Sequence, residues 1–155
     1  MSIKQRLDTE IKSAMKQGQK ERVSCLRMLK ARILEQEVDL RAERGTGYTL
    51  TDEEATVVIA AYAKQRRDSI AGFEQGGRDD LVQKERAELE LVSAYLPAQL
   101  GEDDVRRLVA AAIAEAGATS PREMGAVMKL VMPRVEGAAD GKLVSRIAAE
   151  LLKPR

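Results

Sequence analysis

Lys20-Glu21-Arg22-Val23-Ser24-Cys25-Leu26-Arg27-Met28-Leu29-Lys30-Ala31-Arg32-Ile33-Leu34-Glu35-Gln36-Glu37-Val38-Asp39-Leu40-Arg41-Ala42-Glu43 is the stretch that decides the fold. At 100° per residue, Leu26, Leu29, Ile33 and Leu40 share one face, with Val23 at its border. The spacing predicts one long helix. Leu34 and Val38 form a second apolar row, which predicts that this helix touches two neighbours. Upstream, Ile3, Leu7, Ile11 and Met15 recur every four residues behind Ser2, a preferred N-cap, and Gly18 separates the two helices. Downstream, Thr51-Asp52-Glu53-Glu54 reads as a capping box. It opens a helix that carries Ala55, Val58, Ile59, Tyr62, Ile70 and Phe73 and ends at Gly76-Gly77. A fourth helix runs from Asp79 or Asp80 to about Tyr95, with Leu81, Leu89, Val92 and Tyr95 on its apolar side. Leu96-Pro97 stops it.

After Pro97 alanine rises and the helices shorten. Glu102 to Ala116 buries Val105, Leu108, Val109, Ala112 and Ile113 before Gly117. Ser120-Pro121-Arg122-Glu123 starts the next helix, with Met124, Val127, Met128 and Val131 on one face and Pro133 as its stop. Asp140 caps a last helix with Leu143, Val144, Ile147 and Leu151 inward. No stretch alternates with period two over strand length. The pattern therefore predicts an all-α chain of two small helical domains. Residues 1–96 form a bundle of longer helices and residues 97–155 a bundle of shorter ones, with a hinge near Leu96 to Gly101.

Composition narrows the chemistry. In 155 residues there is no histidine, which removes the usual neutral-pH acid/base and the Ser-His and Cys-His pairings. The lone Cys25 excludes an internal disulfide and a Cys-rich metal site; between Val23 and Leu26 it reads as a packing residue. Aromatics are 3%, too few for a base-stacking platform. The net charge is +1, so no global field points to nucleic acid. The charge is uneven, with +4 over residues 1–44, −4 over 45–97 and +1 over 98–155. Met1 to Arg6 is charged from the start and lacks an apolar signal core, and no apolar run approaches the roughly 20 residues of a membrane span. These features predict a cytoplasmic protein with no membrane partner, no metal and no cofactor.

Several segments together resemble the YqeY family. They include Leu26-Arg27-Met28-Leu29-Lys30, Lys64-Gln65-Arg66-Arg67-Asp68-Ser69-Ile70 and Gly77-Arg78-Asp79-Asp80-Leu81. The most telling is Tyr95-Leu96-Pro97-Ala98-Gln99-Leu100, followed by Met124-Gly125-Ala126-Val127-Met128 and Gly137-Ala138-Ala139-Asp140-Gly141-Lys142-Leu143-Val144-Ser145. Residues from about Gly101 onward also resemble the helical tail of the B subunit of the glutamine-dependent aspartyl/glutamyl-tRNA amidotransferase. In that enzyme the tail contacts the tRNA body, and the catalytic parts lie elsewhere. The resemblance implies a non-catalytic, tRNA-associated accessory protein. It leaves two alternatives: a helical protein-interaction adaptor, or a partner-dependent component of a carbon–nitrogen ligase with glutamine as amido-N-donor, working with an amidotransferase or other translation-related proteins. One departure concerns charge: family members carry basic residues around the glycine loop where this chain has Glu136 and Ala138.

The residues offer these candidate contacts. Lys142 and Arg146, four apart beside the glycine loop, share one face, with Lys129 and Arg134 as outer contributors. The loop itself reads first as a tight turn with Asp140 as cap, and only second as an anion site. Lys64 and Arg67 could join Arg78 near the double glycine as a second basic spot, whereas Arg66 falls in the apolar row and reads as a snorkelling Arg held by Glu85 or Glu88. On the long helix, Lys20, Arg27 and Lys30 project close together, an RNA-facing patch or a solvated face. The Met124, Met128, Met132 row is core or an adaptable partner surface. No catalytic residue is predicted.

Overall fold

The computed structural model describes residues 1–153. Those residues form seven α-helices and one short 3-10 turn, and none of them is in a strand. In order the helices are α1 (Ile3–Lys16), α2 (Lys20–Arg44), α3 (Asp52–Gln75), α4 (Asp79–Ser93), α5 (Glu102–Ala116), α6 (Met124–Val135) and α7 (Gly141–Leu152). The chain divides into two compact units, Met1–Leu96 and Pro97–Arg155.

In the first unit, α1 to α4 close around Leu7, Leu26, Leu29, Ile33, Ile59 and Val92, all fully buried. The apolar face predicted for α2 is the face that packs. Its second row is not, for Leu34 and Val38 stand in solvent. The helix starts follow the local chemistry. Ser2 and Gln5 form a reciprocal box on α1, and Thr51 and Glu54 do the same on α3. Gly77, at φ +68°, lets the chain leave α3 in a left-handed turn in which the Arg78 amide bonds the Phe73 carbonyl. Two expectations for α4 are corrected. The helix ends at Ser93, because the Tyr95 and Leu96 amides already close three-residue turns ahead of Pro97. Val82 rather than Leu81 is the buried residue of its first turn.

In the second unit, Val105, Val109, Val127, Val131, Val135, Val144 and Ile147 form an aliphatic core between α5, α6 and α7. The Ser120-Pro121 signal opens a 3-10 turn (Pro121–Glu123) before α6, with the Glu123 carboxylate receiving the Thr119 and Ser120 amides. Pro133 does not end α6; it lies inside it. Its ring removes one backbone donor in the last turn, at a cost of up to about 3 kcal/mol. Full burial of Val135, worth about 1.5–3 kcal/mol, keeps the helix going for two more residues.

Candidate nucleic-acid interface

The best-defined loop of the second unit runs between α6 and α7. Gly137 takes φ +75°, a conformation that costs an L-residue about 1–2 kcal/mol. The Ala138 and Ala139 amides both turn back to the Val135 carbonyl, at 2.8 and 3.0 Å. Two residues of the Pro97-Ala98-Gln99-Leu100 segment pin this loop from outside. The Gln99 amide nitrogen donates to the Gly137 carbonyl at 2.8 Å, and the Leu100 amide donates to the Ala138 carbonyl at 2.8 Å. Asp140 then caps α7 by accepting from the Lys142 amide at 3.0 Å. The carboxylate occupies the positive end of α7, which leaves that end unsuited to a phosphate.

Around this loop the four predicted cations divide into two kinds. Arg146 is held by Glu102 at 3.2 Å, in a network where Arg106 bridges Glu102 and Glu150 from α5 to α7. Arg134 pairs with Glu115 at 2.5 Å. Lys129 and Lys142 are exposed and form no ion pair with any described residue. Lys142 directly follows Gly141, and Lys129 lies three residues before Met132, whose Cε stands at ordinary van der Waals distance, 3.6 Å, from where a Cβ on Gly141 would be. Met124, Met128 and Met132 are all half-buried against the aliphatic core, so the methionine row is packing rather than an open partner surface.

At the second predicted spot, two of the three cations are engaged by local carboxylates. Lys64 bonds Asp68 at 3.2 Å, and Arg78 turns onto its own Asp80. Arg67 is half-buried. On α2, Lys30 is taken up by Asp8 at 2.5 Å, and Arg27 reaches the Met15 sulfur. Arg66 meets Glu85 and Glu88 at 3.2 and 3.4 Å, with its guanidinium 4.8 Å above the Tyr62 ring.

Three polar anchors of the first unit escaped the sequence reading. Glu37 is 2% exposed, yet it accepts from Lys4 at 2.8 Å, from the Leu50 amide at 3.0 Å and from Arg41 at 3.1 Å. Burial pushes its carboxyl up, but those donors outweigh it and hold it below the ordinary range. Its sequence signal was available: it interrupts the apolar row between Ile33 and Leu40. Tyr95 donates to Glu10, while the Arg6 guanidinium lies 4.3 Å over its ring and also bonds the Ala94 carbonyl. Tyr48 donates to Glu54, which Arg44 pairs at 2.9 Å. Burial raises the Cys25 thiol to about 11, so at neutral pH it is a packed thiol rather than a nucleophile. Among the described residues no three His, Cys, Asp or Glu side chains gather where a metal could bind.

The fold and the loop define an all-helical protein whose second unit presents lysines beside a pinned glycine turn. The family described as Yqey-like protein matches residues 4–152, and the chain belongs to that family. Among curated relatives, altered inheritance of mitochondria protein 41, mitochondrial, of Pyrenophora tritici-repentis is 30% identical over 151 residues, covering 95% of this chain and 79% of that protein. The protein of the same name from Eremothecium gossypii is 37% identical over 92 residues, covering 59% of this chain and 48% of its own. The Saccharomyces cerevisiae protein of that name is 29% identical over 90 residues, covering 58% and 46%. The match thus spans about half the length of two of these relatives. Family and relatives support an accessory protein of the YqeY type. They also correct the cytoplasmic expectation, since each of these relatives is named as a mitochondrial protein. Among the described residues no helix is long and apolar enough to cross a membrane.

Proposed function

We propose that the protein is a non-catalytic, tRNA-associated accessory module that touches folded RNA through the second unit. The observation that carries this reading is the pair of exposed lysines without ion pairs, Lys129 on α6 and Lys142 on the first turn of α7, on the two helices joined by a loop that Gln99 and Leu100 hold in place. The resemblance of this unit to the amidotransferase B-subunit tail supplies the kind of RNA. With so few aromatics, binding is led by shape and phosphate charge rather than by base stacking. Any contribution to a glutamine-dependent carbon–nitrogen ligase then depends on partners. Recovery of RNA on the tagged full chain from lysate, with and without ribonuclease, tests the reading. Ribonuclease-sensitive tRNA supports it; recovery of no RNA refutes it.

A further inference from the structure

The first unit carries an open groove of about 600 Å³ between α2 and α3. Its floor is apolar, made by Leu40, Val58 and the Tyr62 ring. The α3 rim is Val57, Ala61 and Gln65, spaced four apart and without charge; Val57 is 46% exposed. The α2 rim carries Glu35 and Asp39, also four apart and both exposed. Neither forms an ion pair with any described residue, so two like charges face each other along the helix, an arrangement that destabilises it slightly. Arg32 stands at one end of the same rim. At the other end, Arg44 is already committed to Glu54. The facing stretches, residues 32–44 and 54–65, give the groove a length of roughly 18 Å, a little over three helical turns.

We infer that this groove docks a basic amphipathic helix of a protein partner. Its apolar row would lie on Leu40, Val58 and Tyr62 and its Lys or Arg flank against Glu35 and Asp39. Arg32 gives the site a polarity, because an acidic residue of the occupant belongs at that end. The charge pattern selects this occupant. The carboxylates that attract a cationic helix repel phosphate, so the groove is separate from the RNA contact proposed for the second unit. Helix-in-groove docking of this kind combines apolar anchors with charge steering.

The test uses the full chain and a fluorescein-labelled amphipathic peptide of about 18 residues, five helical turns, with leucines at helical spacing and a lysine flank. A matched peptide with glutamates in place of the lysines is the control. Fluorescence anisotropy is expected to show saturable binding of the lysine peptide that weakens with salt, and none of the glutamate peptide. The double charge reversal Glu35→Lys with Asp39→Lys should weaken binding about tenfold, and Val57→Ser about threefold. Reversal at distant exposed carboxylates, Glu90→Lys with Asp103→Lys, should leave it within about twofold. All these side chains are exposed, so unchanged helicity by circular dichroism is expected throughout. Absence of lysine-peptide binding, equal binding of the glutamate peptide, or an equal loss on distant reversal each overturns the inference. So does self-association abolished by Val57→Ser, which would give the groove to a second copy.

Discussion

At the residue scale, Glu37 shows how a charged side chain becomes part of a core. Lys4 from α1, Arg41 from α2 and the Leu50 amide from the following loop converge on one buried carboxylate. Removing it leaves the Leu50 amide unsatisfied, while Lys4 and Arg41 retain access to water. Glu37→Ala should therefore destabilise the first unit by about 2 kcal/mol, read as a lower denaturation midpoint at unchanged slope. Because the folded carboxyl is held below its ordinary value, its contribution is complete above about pH 5 and is lost as pH falls through 4 and below. Glu37→Gln should flatten that acid limb while costing less than Glu37→Ala. An unchanged acid limb in Glu37→Gln would show that other carboxylates govern it. Cys25 gives a second residue-scale expectation. Its burial and raised thiol value predict negligible alkylation by iodoacetamide at pH 8 in the folded protein and rapid alkylation in denaturant; fast labelling of the folded chain would contradict that environment.

At the scale of elements, the loop between α6 and α7 rests on Gly137 and its external pins. Gly137→Val forces a branched residue into the left-handed region and should lower the stability of the second unit by about 1–2 kcal/mol, seen as a reduced melting temperature. Gln99→Ala removes one pin and should speed hydrogen exchange near Ala138 without affecting α1 to α4. Exchange rates identical to the parent would mean that the Leu100–Ala138 bond alone holds the loop. These elements also separate what local chemistry discloses from what packing decides. The buried face of α2, the Ser2 cap of α1, the capping box of α3 and the Asp140 cap follow from local spacing and side-chain chemistry, so they are legible in the sequence. Pro133 misleads because a local rule about proline competes with a tertiary gain, the burial of Val135. The free or committed state of each cation is equally hidden. Arg146 and Lys142 look alike in sequence, and only the packing of α5 beside α7 brings Glu102 to one of them. Arg66 is readable because its place in an apolar row demands a carboxylate from the neighbouring helix.

At the scale of the molecule, the chain is two compact helical units of nearly equal net charge, and the uneven charge lies within the first of them. Limited proteolysis should cut first at the exposed Gly45–Gly47 loop and around Pro97–Ala98, before any helix interior; primary cleavage inside α3 would contradict this organisation. The purified chain should show neither glutaminase nor amide-transfer activity alone, since no histidine is present and the one thiol is buried and protonated. Glutamine-dependent conversion of a mischarged tRNA by the isolated chain would refute that. RNA binding through charge on the second unit can be read in a filter-binding titration of tRNA across several salt concentrations. The parent should bind weakly with a measurable salt slope. Lys129→Ala with Lys142→Ala should keep full helicity, weaken binding and reduce the magnitude of the logarithmic slope by up to about two. Arg146→Ala, already engaged by Glu102, should have the smaller effect. A double-lysine variant that binds like the parent with the same slope, or a parent that binds tRNA no better than a nonspecific duplex, would contradict RNA binding through these lysines.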